Sequence, residues 1–300
     1  MDFYVMTLFP EMIDSSISHS ITGRAINKGL INVRAVDIRE YTTEKHGKTD
    51  DYPYGGGAGM VMQVQPVYDC YKAVCSMIDE GRENRTADLK AWEAPDSIGA
   101  EASDEISEAA YDNEAALTEK DISENSRRPR VLYMSPQGRR FDQSFAKELA
   151  KEEELVFLCG HYEGIDERAL ELLKVEEVSL GDFILTGGEL PAVTMIDCIS
   201  RLIPGVLGSS DSAEIESFHD NLLEYPQYSR PEEYMGLKVP DILLSGHHAN
   251  VDKWRREQSI IRTLDKRPDL IEEAVLDKKE QKFLRKLLEE RKDITQDTNE

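Results

Sequence analysis

Short apolar runs alternate with amphipathic segments along residues 1–208 of the chain. The apolar runs predict strands, and the segments with helical periodicity between them predict helices. The predicted strands cover residues 3–9, 31–38, 131–135, 155–159 and 183–185. The predicted helices cover residues 10–18, 67–77, 143–151, 165–173 and 190–202, with Pro10 and Pro66 at the first two starts and Asp142 as a cap of the third. This alternation is typical of an α/β domain with a mostly parallel sheet.

The pattern changes after Gly208, where a polar run predicts a linker over residues 208–222. Helical periodicity returns in residues 249–264, 270–276 and 278–292, so a small all-helical C-terminal domain is predicted over residues 223–300. Three hundred residues are enough for two such domains with a core each.

Residues 79–128 interrupt the first domain with an acidic stretch. They hold 15 acidic residues against six basic ones, a net charge of −9, with few large apolar side chains. Such a stretch buries too little surface to offset the entropy of ordering, so we expect a disordered or loosely helical insertion. We expect it to repel RNA from one side of the protein and to keep the chain in solution.

The distribution of charge along the chain limits where it could bind a nucleic acid. The net charge of −23 argues against a general nucleic-acid-binding surface, whereas residues 247–292 carry 13 basic and 10 acidic residues and leave room for a local basic patch. No apolar run approaches a membrane span, the N-terminus has no basic region of a signal peptide, and the four cysteines form no CxxC pair. We therefore expect a cytoplasmic protein without a bound metal or a membrane partner.

Glycine-rich loops are the candidate sites of chemistry, since nucleotide-loop, zinc-protease and hydrolase motifs are absent from the sequence. Three of them follow predicted strands: residues 135–138, 159–168 and 179–191. Ligands of open α/β sheets bind at the carboxyl ends of the strands, so these loops could build one pocket from main-chain groups, suited to a neutral hydrogen-bonding ring such as adenine. A fourth cluster, residues 52–60, has four glycines in five residues and is either a close approach or a surface turn.

Several strings carry a family resemblance, in the family's order. They are LFPEM (8–12), DDYPYGGGAGMVM (50–62), SPQGRRFDQ (135–143), CGHYEGIDER (159–168), GDFILTGGELPA (181–192), RLIPGVLG (201–208), LLEYPQYSRP (222–231) and LLSGHHANVDKWRR (243–256). As a set they resemble the bacterial tRNA (guanine-N1)-methyltransferase family.

The resemblance implies a SPOUT-like parallel sheet tied in a deep trefoil knot over residues 1–207, a homodimer, and a C-terminal domain that binds tRNA. It implies methyl transfer from S-adenosylmethionine to N1 of the guanosine immediately 3′ of the anticodon, preceded by another guanosine. The cofactor-binding residues it implies are Tyr133, Met134, Ser135, Pro136, Gly138, Gly160, Tyr162, Glu163, Leu180, Gly181, Asp182, Phe183, Ile184, Leu185, Gly187, Gly188 and Pro191.

The same resemblance implies two catalytic residues. Guanine N1 is a poor nucleophile until it loses its proton, and negative charge then spreads to O6. The family's cation for that charge corresponds to Arg201, and its general base to Glu216, where the family carries aspartate in a DSF string and this chain has Glu-Ser-Phe. His161 stands where some members have arginine.

In the C-terminal domain, Lys253, Trp254, Arg255, Arg256 and Arg262 are the candidate tRNA contacts, and the target base is expected to leave its stack. Two alternatives stay open at this point. One is a related knotted methyltransferase acting on a ribose 2′-hydroxyl or another base. The other is a non-catalytic RNA-binding protein of the same fold, favoured only by the Glu216 departure.

Overall fold

The computed structural model describes residues 1–93, 128–208, 217–218 and 220–297. The chain divides into two compact units, residues 1–206 and residues 207–300. Within the described residues, no helix is long and apolar enough to cross a membrane.

The first unit is built on a five-stranded parallel sheet. Its strands are β1 (Asp2–Thr7), β2 (Asn32–Asp37), β5 (Arg130–Arg140), β6 (Glu154–Leu158) and β7 (Glu176–Ser179), in the order β2-β1-β6-β5-β7. A separate short antiparallel pair joins β3 (Asp50–Asp51) to β4 (Val61–Met62). Every residue of β6 is buried, as expected for a central strand covered on both faces. The predicted α/β class with a parallel sheet is confirmed.

Helices cover both faces of this sheet. One core contains side chains of α1 (Pro10–Ile17), α2 (Ser20–Asn27), α4 (Gln143–Leu149) and α6 (Glu189–Ser200). The other contains side chains of α3 (Val64–Glu93) and α5 (Glu167–Leu173). The predicted cap of α4 is present, since the Asp142 side chain accepts a hydrogen bond from the amide of Phe145 at 2.8 Å.

Strand β5 carries an outward loop where it passes β7. Val178 of β7 is the register partner of both Met134 and Arg139, so residues 135–138 are left out of the pairing. A Cβ atom on Gly138 would lie 2.2 Å from the main-chain carbon of Glu177. Only glycine fits here, and the outward loop can therefore lie directly against the neighbouring strand.

The start of the predicted acidic insertion is wrong. Helix α3 runs unbroken through Asp79 to Glu93, and Ile78 is fully buried just before it. Arg82 and Arg85 pair with the buried carboxylate of Glu154 at 3.2 and 2.5 Å. Two ion pairs to the sheet fix this part of the acidic stretch as a packed helix, which its charge alone did not reveal. Residues 94–127 of the predicted insertion lie outside the described residues.

Two other predicted elements near the sheet differ from the structure. Residues 183–185 form no strand; their side chains are 55, 79 and 41% exposed. The strand is β7 instead, where two glutamates precede the buried Val178 and Ser179 and mask the apolar pattern. Helix α2 was also not predicted from the sequence, because its mean hydropathy is close to neutral.

The second unit is mostly helical. Its helices are α7 (Asp241–Leu244), α8 (His248–Lys266), α9 (Pro268–Ile271) and α10 (Lys278–Asp297). A two-stranded hairpin of β8 (Glu233–Tyr234) and β9 (Leu237–Lys238) corrects the all-helical prediction, since Met235 and Gly236 form its tight turn with positive φ. The helix predicted over 270–276 ends at Ile271.

The Glu154 ion pairs give a stability prediction. Arg82→Ala combined with Arg85→Ala leaves a buried carboxylate without either cation. We expect the free energy of unfolding, measured by urea denaturation, to fall by about 1–3 kcal/mol, since both arginines are partly exposed. Glu83→Ala, on the exposed side of the same helix, is the control and should change it by less than about 0.5 kcal/mol. An unchanged double variant would contradict the anchoring of α3 through Glu154.

Candidate functional site

Three loops of the first unit enclose a cavity of about 290 Å³. The first is the outward loop of β5, residues 135–138. The second follows β6, residues 159–166, and the third joins β7 to α6, residues 180–188. The second and third loops leave the carboxyl ends of β6 and β7, and the first interrupts β5 near its carboxyl end, which is where ligands of open α/β sheets bind.

Most of the residues predicted to bind a cofactor line this cavity. Those on its walls are Tyr133, Met134, Ser135, Pro136, Gly160, Tyr162, Glu163, Leu180, Gly181, Phe183, Ile184, Leu185, Gly187, Gly188 and Pro191. Gly138 is not on the wall, because it lies against the backbone of β7. Asp182 is exposed and is also absent from the wall.

Five wall residues were not among those predicted to bind the cofactor: His161, Gly164, Val178, Ser179 and Thr186. His161 and Gly164 belong to the CGHYEGIDER string, and their position next to Gly160 and Glu163 was the available signal. Ser179 begins the third glycine-rich loop predicted from the sequence, whereas Val178 was missed because strand β7 itself was missed. Thr186 lies within the third loop, between residues that were predicted.

Glycine at position 188 lets two of the loops touch. Its amide donates to the carbonyl oxygen of Gly160 at 3.1 Å, and an added Cβ would lie 2.6 Å from Cα of Cys159. The φ of Gly188 is −84°, which any residue can adopt, so space and not conformation requires glycine. The start of α6 is therefore held directly against the loop after β6.

The glycine cluster at residues 52–60 approaches the same loop. The amide of Glu163 donates to the carbonyl oxygen of Met60 at 3.0 Å, and that of Met62 donates to Gly164 at 2.9 Å. Gly59 has φ +87°, and an added Cβ would lie 2.4 Å from the Glu163 side chain. The sequence left two interpretations of this cluster open. A close approach fits Gly59, whereas a surface turn fits Tyr54, which is 98% exposed.

A buried carboxylate connects the site to the sheet. Glu189, 1% exposed at the first position of α6, accepts a hydrogen bond from Thr7 Oγ1 at 2.6 Å. His161 Nε2 lies 2.7 Å from Glu189 Oε2, and its ring packs on Phe9 with centroids 4.8 Å apart. This Thr7–Glu189–His161 network fixes the orientation of an imidazole in the cavity wall. The position of Glu189 at a helix N-terminus also favours its negative charge.

Two polar groups of the wall and a neighbouring buried thiol are held in defined states. Ser135 Oγ donates to Glu177 Oε2 at 2.6 Å and accepts from the amide of Gln137 at 3.2 Å. Burial raises the pKa of the Tyr133 phenol, and nearby Glu177 raises it further, so the phenol stays neutral. Burial likewise raises the pKa of the Cys159 thiol, which makes it a poor nucleophile. Within the described ranges, no cluster of His, Cys, Asp and Glu could hold a metal ion.

Exposed apolar side chains mark the open side of the cavity. Phe183, Ile184 and Leu185 are consecutive and all exposed, and Tyr162 is 47% exposed with φ +61°. The cavity therefore has a solvent-facing apolar rim on its second and third loops. A wall of apolar side chains and main-chain amides suits a ligand with a flat, hydrogen-bonding ring.

Of the two predicted catalytic residues, Arg201 lies away from this cavity within one chain. It follows the C-terminal end of α6, about 15 Å along the helix from Pro191 on the cavity wall. Glu216 lies outside the described residues. Directly after it, Ser217 Oγ accepts a hydrogen bond from the amide of Glu224 at 2.9 Å.

The predicted tRNA contacts do not lie along one face of helix α8. Lys253 to Arg256 are consecutive on α8 and so point in directions about 100° apart. Arg256 pairs with Glu280 at 2.7 Å and Asp220 at 3.0 Å, and its role is to join segments of the second unit.

The other predicted tRNA contacts differ in their exposure. The Arg255 guanidinium lies 5.1 Å over the Tyr225 ring, and Arg262 Nη1 donates to the Glu224 carbonyl at 3.4 Å. Trp254 packs against Tyr228, whereas the Lys253 side chain is 74% exposed, with Glu257 3.6 Å away.

The Thr7–Glu189–His161 network gives a second stability prediction. Glu189→Ala removes the acceptor of Thr7 and His161 and should lower the free energy of unfolding by about 2–4 kcal/mol in urea denaturation. Glu189→Gln keeps an acceptor oxygen and should cost less. Thr194→Val, on an exposed turn of the same helix, is the control. A Glu189→Ala variant as stable as the natural protein would show that the network contributes nothing to stability, and equal losses in the Ala and Gln variants would show that one acceptor oxygen does not sustain it.

Comparison with known proteins places the chain in a family. A family model described as tRNA (Guanine-1)-methyltransferase TrmD matches residues 1–88 and 109–273, on either side of part of the acidic stretch. A protein of Lachnoclostridium phytofermentans named tRNA (guanine-N(1)-)-methyltransferase is 56% identical over 96% of this chain and 97% of its own length. Proteins of the same name from Lachnospira eligens and Ruminiclostridium cellulolyticum are 52 and 50% identical, over 92 and 90% of this chain and 97 and 96% of their own lengths. The chain thus belongs to the tRNA (guanine-1)-methyltransferase family.

Proposed function

We propose that this protein transfers a methyl group from S-adenosylmethionine to N1 of the guanosine immediately 3′ of the anticodon in tRNA, where that guanosine follows another. The observation that carries this proposal is the cavity at the carboxyl ends of β5, β6 and β7, in a chain that belongs to the family. Its walls contain fifteen of the seventeen residues that the family resemblance implied.

The cavity fits the cofactor's chemistry. Main-chain groups of residues 133–136, 160–163 and 180–188 offer hydrogen bonds to an adenine ring, and Leu180 and Leu185 offer apolar contact. S-adenosylmethionine supplies a methyl group on a positively charged sulfur. The carboxylate of Glu163, on the wall and near the Gly59 loop, favours a cation at that place.

Two charged side chains act on the guanine base, one as proton acceptor and one as a stabilising cation. Glu216 accepts the proton of N1, and the attacking lone pair then lies in the ring plane. Arg201 stabilises the negative charge that spreads to O6 as the proton leaves. Glutamate in place of the family's aspartate keeps the carboxylate and adds one methylene, so residues 217–218 must place it slightly differently for the same proton transfer.

A homodimer accounts for the distance between these groups. The cavity and Arg201 lie at opposite ends of α6, about 15 Å apart along the helix in one chain. A second copy packed across this helix brings its own Arg201 and Glu216 to the first copy's cavity. The exposed residues 183–185 and 190 provide apolar surface near the cavity for such a contact.

We propose that the same loops form the knot of the SPOUT class. After edge strand β7 the chain turns back, and Gly188 then lies against Cys159 and Gly160 of the loop after β6. We assign this return as the threading of the deep trefoil knot.

In the second unit, Lys253, with Trp254 and Arg255, supplies contacts to the tRNA, and the family's target base leaves its stack.

Nucleoside analysis tests the reaction. Unmodified tRNA with a guanosine pair ending 3′ of the anticodon is incubated with the protein and S-adenosylmethionine, digested and measured by mass spectrometry. We expect 1-methylguanosine at that position, and none in tRNA where the target is adenosine. Formation of 2′-O-methyl nucleosides, or of no product by a protein that binds the cofactor, would contradict the proposal.

The general base has a matched pair of substitutions. Glu216→Gln keeps the size of the side chain but cannot accept the proton, so the single-turnover rate constant of methyl transfer should fall about 100- to 10,000-fold. Glu216→Asp carries the family's residue and should stay within about tenfold of the natural protein. Cofactor affinity should be the same in both variants. A Gln variant as fast as the natural protein would remove Glu216 from the chemistry.

A further inference from the structure

The family string over residues 222–231 lines a groove in the second unit, together with the proposed tRNA contacts Trp254 and Arg255. This aromatic groove, about 780 Å³ in volume, is formed by Tyr225, Tyr228, Trp254, Arg230 and Arg255 above a floor that includes Val251. One wall is the irregular segment before β8, and the other is the first half of α8.

Flat side chains line the groove beside aliphatic ones such as Val239, Leu243 and Leu244. The rings of Tyr228 and Trp254 lie with their centroids 6.5 Å apart, at 49° to each other. Tyr228 is 48% exposed, so much of its ring still faces solvent. The Arg255 guanidinium covers the Tyr225 ring at 5.1 Å and adds a third flat surface. Rings and guanidinium planes of this kind are the surfaces on which unstacked bases are held.

Charge in the groove favours an anion. Arg230 and Arg255 line it, against the single acidic side chain of Glu232. Arg255 Nη1 lies 3.4 Å from Asp252, while its buried Nε has no hydrogen-bond partner in the part of the chain that the structure describes. A buried donor without an acceptor carries a free-energy cost, which a phosphate or base oxygen in the groove would remove.

We propose that the aromatic groove binds one unpaired nucleotide of the RNA substrate, with the base against Tyr228 and Trp254 and its phosphate near Arg255 and Arg230. This inference rests on the proposed function, because it takes RNA to be the substrate. It assigns a separate nucleotide site to the second unit, formed by none of the residues of the cofactor cavity.

Tryptophan fluorescence reports on the groove directly. The chain has two tryptophans, so in a Trp92→Phe background the emission comes from Trp254 alone. Stacking of a base should quench this emission on titration with the unmodified tRNA and with a single-stranded RNA hexamer. A blunt RNA duplex of equal charge should quench it far less. Equal quenching by the duplex, or none by tRNA, would overturn the proposal. So would emission that changes only with protein concentration, which would assign the groove to a contact between copies.

Ring removal tests the energetics. Tyr228→Ala should weaken tRNA binding by about five- to 100-fold, the range for loss of one stacking ring, whereas Tyr228→Phe should bind as the natural protein does. Tyr234→Ala removes an exposed ring from β8, outside the groove, and is the control. A folded Tyr228→Ala variant with natural affinity would overturn the proposal; if it does not fold, the Trp254 titration decides.

The two proposals fail differently. Absence of 1-methylguanosine with intact Trp254 quenching by tRNA would remove the proposed reaction and keep the nucleotide site. Normal methylation with unaltered tRNA affinity in Tyr228→Ala would remove the nucleotide site and keep the reaction. Affinity for S-adenosylmethionine without RNA should be unchanged in Tyr228→Ala, since the cofactor cavity is formed by the other unit.

Discussion

The candidate site depends on a close main-chain contact between two loops, at Gly188 and Cys159–Gly160. With a Cβ at position 188 only 2.6 Å from Cα of Cys159, the two backbones could not stay in place. The contact sets where α6 begins, and α6 in turn places Glu189 beside His161 and Thr7. The buried network and the contact between the second and third walls of the cavity therefore depend on the glycine at this position.

A second glycine, Gly138, allows a similarly close main-chain contact at the edge of the sheet. Gly138 lets the outward loop of β5 lie on the main chain of Glu177 and Val178, so the first wall of the cavity stays close to the third. The glycines that identified these loops in the sequence are thus partly packing residues. Gly138 shows the difference, because it was predicted to touch the cofactor and instead supports the loop that does so in the proposal.

Sequence patterns predicted the strands and caps that depend only on residues close together in the chain. The buried run at residues 155–159 and the cap at Asp142 are local signals, and both are present in the structure. Signals that depend on distant partners were missed. From the sequence, Arg82 and Arg85 were assigned to an acidic, unpacked stretch. In the structure both pair with Glu154, about seventy residues away, which no local pattern could predict. Residues 183–185 read as a strand because they are apolar, although they face solvent.

Basic residues in the second unit illustrate the same limit. The run from Lys253 to Arg256 suggested one surface for RNA, yet helical geometry sends its members to different sides, and Arg256 is committed to Glu280 and Asp220. Segment 222–231 carried no charge signal, and only its fold against α8 brings the aromatic rings together.

Calorimetric titration of S-adenosylmethionine into a Gly188→Ala variant tests whether the loop contact at this glycine builds the cofactor site. Gly81→Ala, a glycine within α3 whose added Cβ would meet only ordinary contacts, is the matched control. We expect Gly188→Ala to weaken cofactor binding by about tenfold or more, or ~1.4 kcal/mol, and Gly81→Ala to bind as the natural protein does. A folded Gly188→Ala variant with the natural dissociation constant would show that the loop contact does not build the cofactor site.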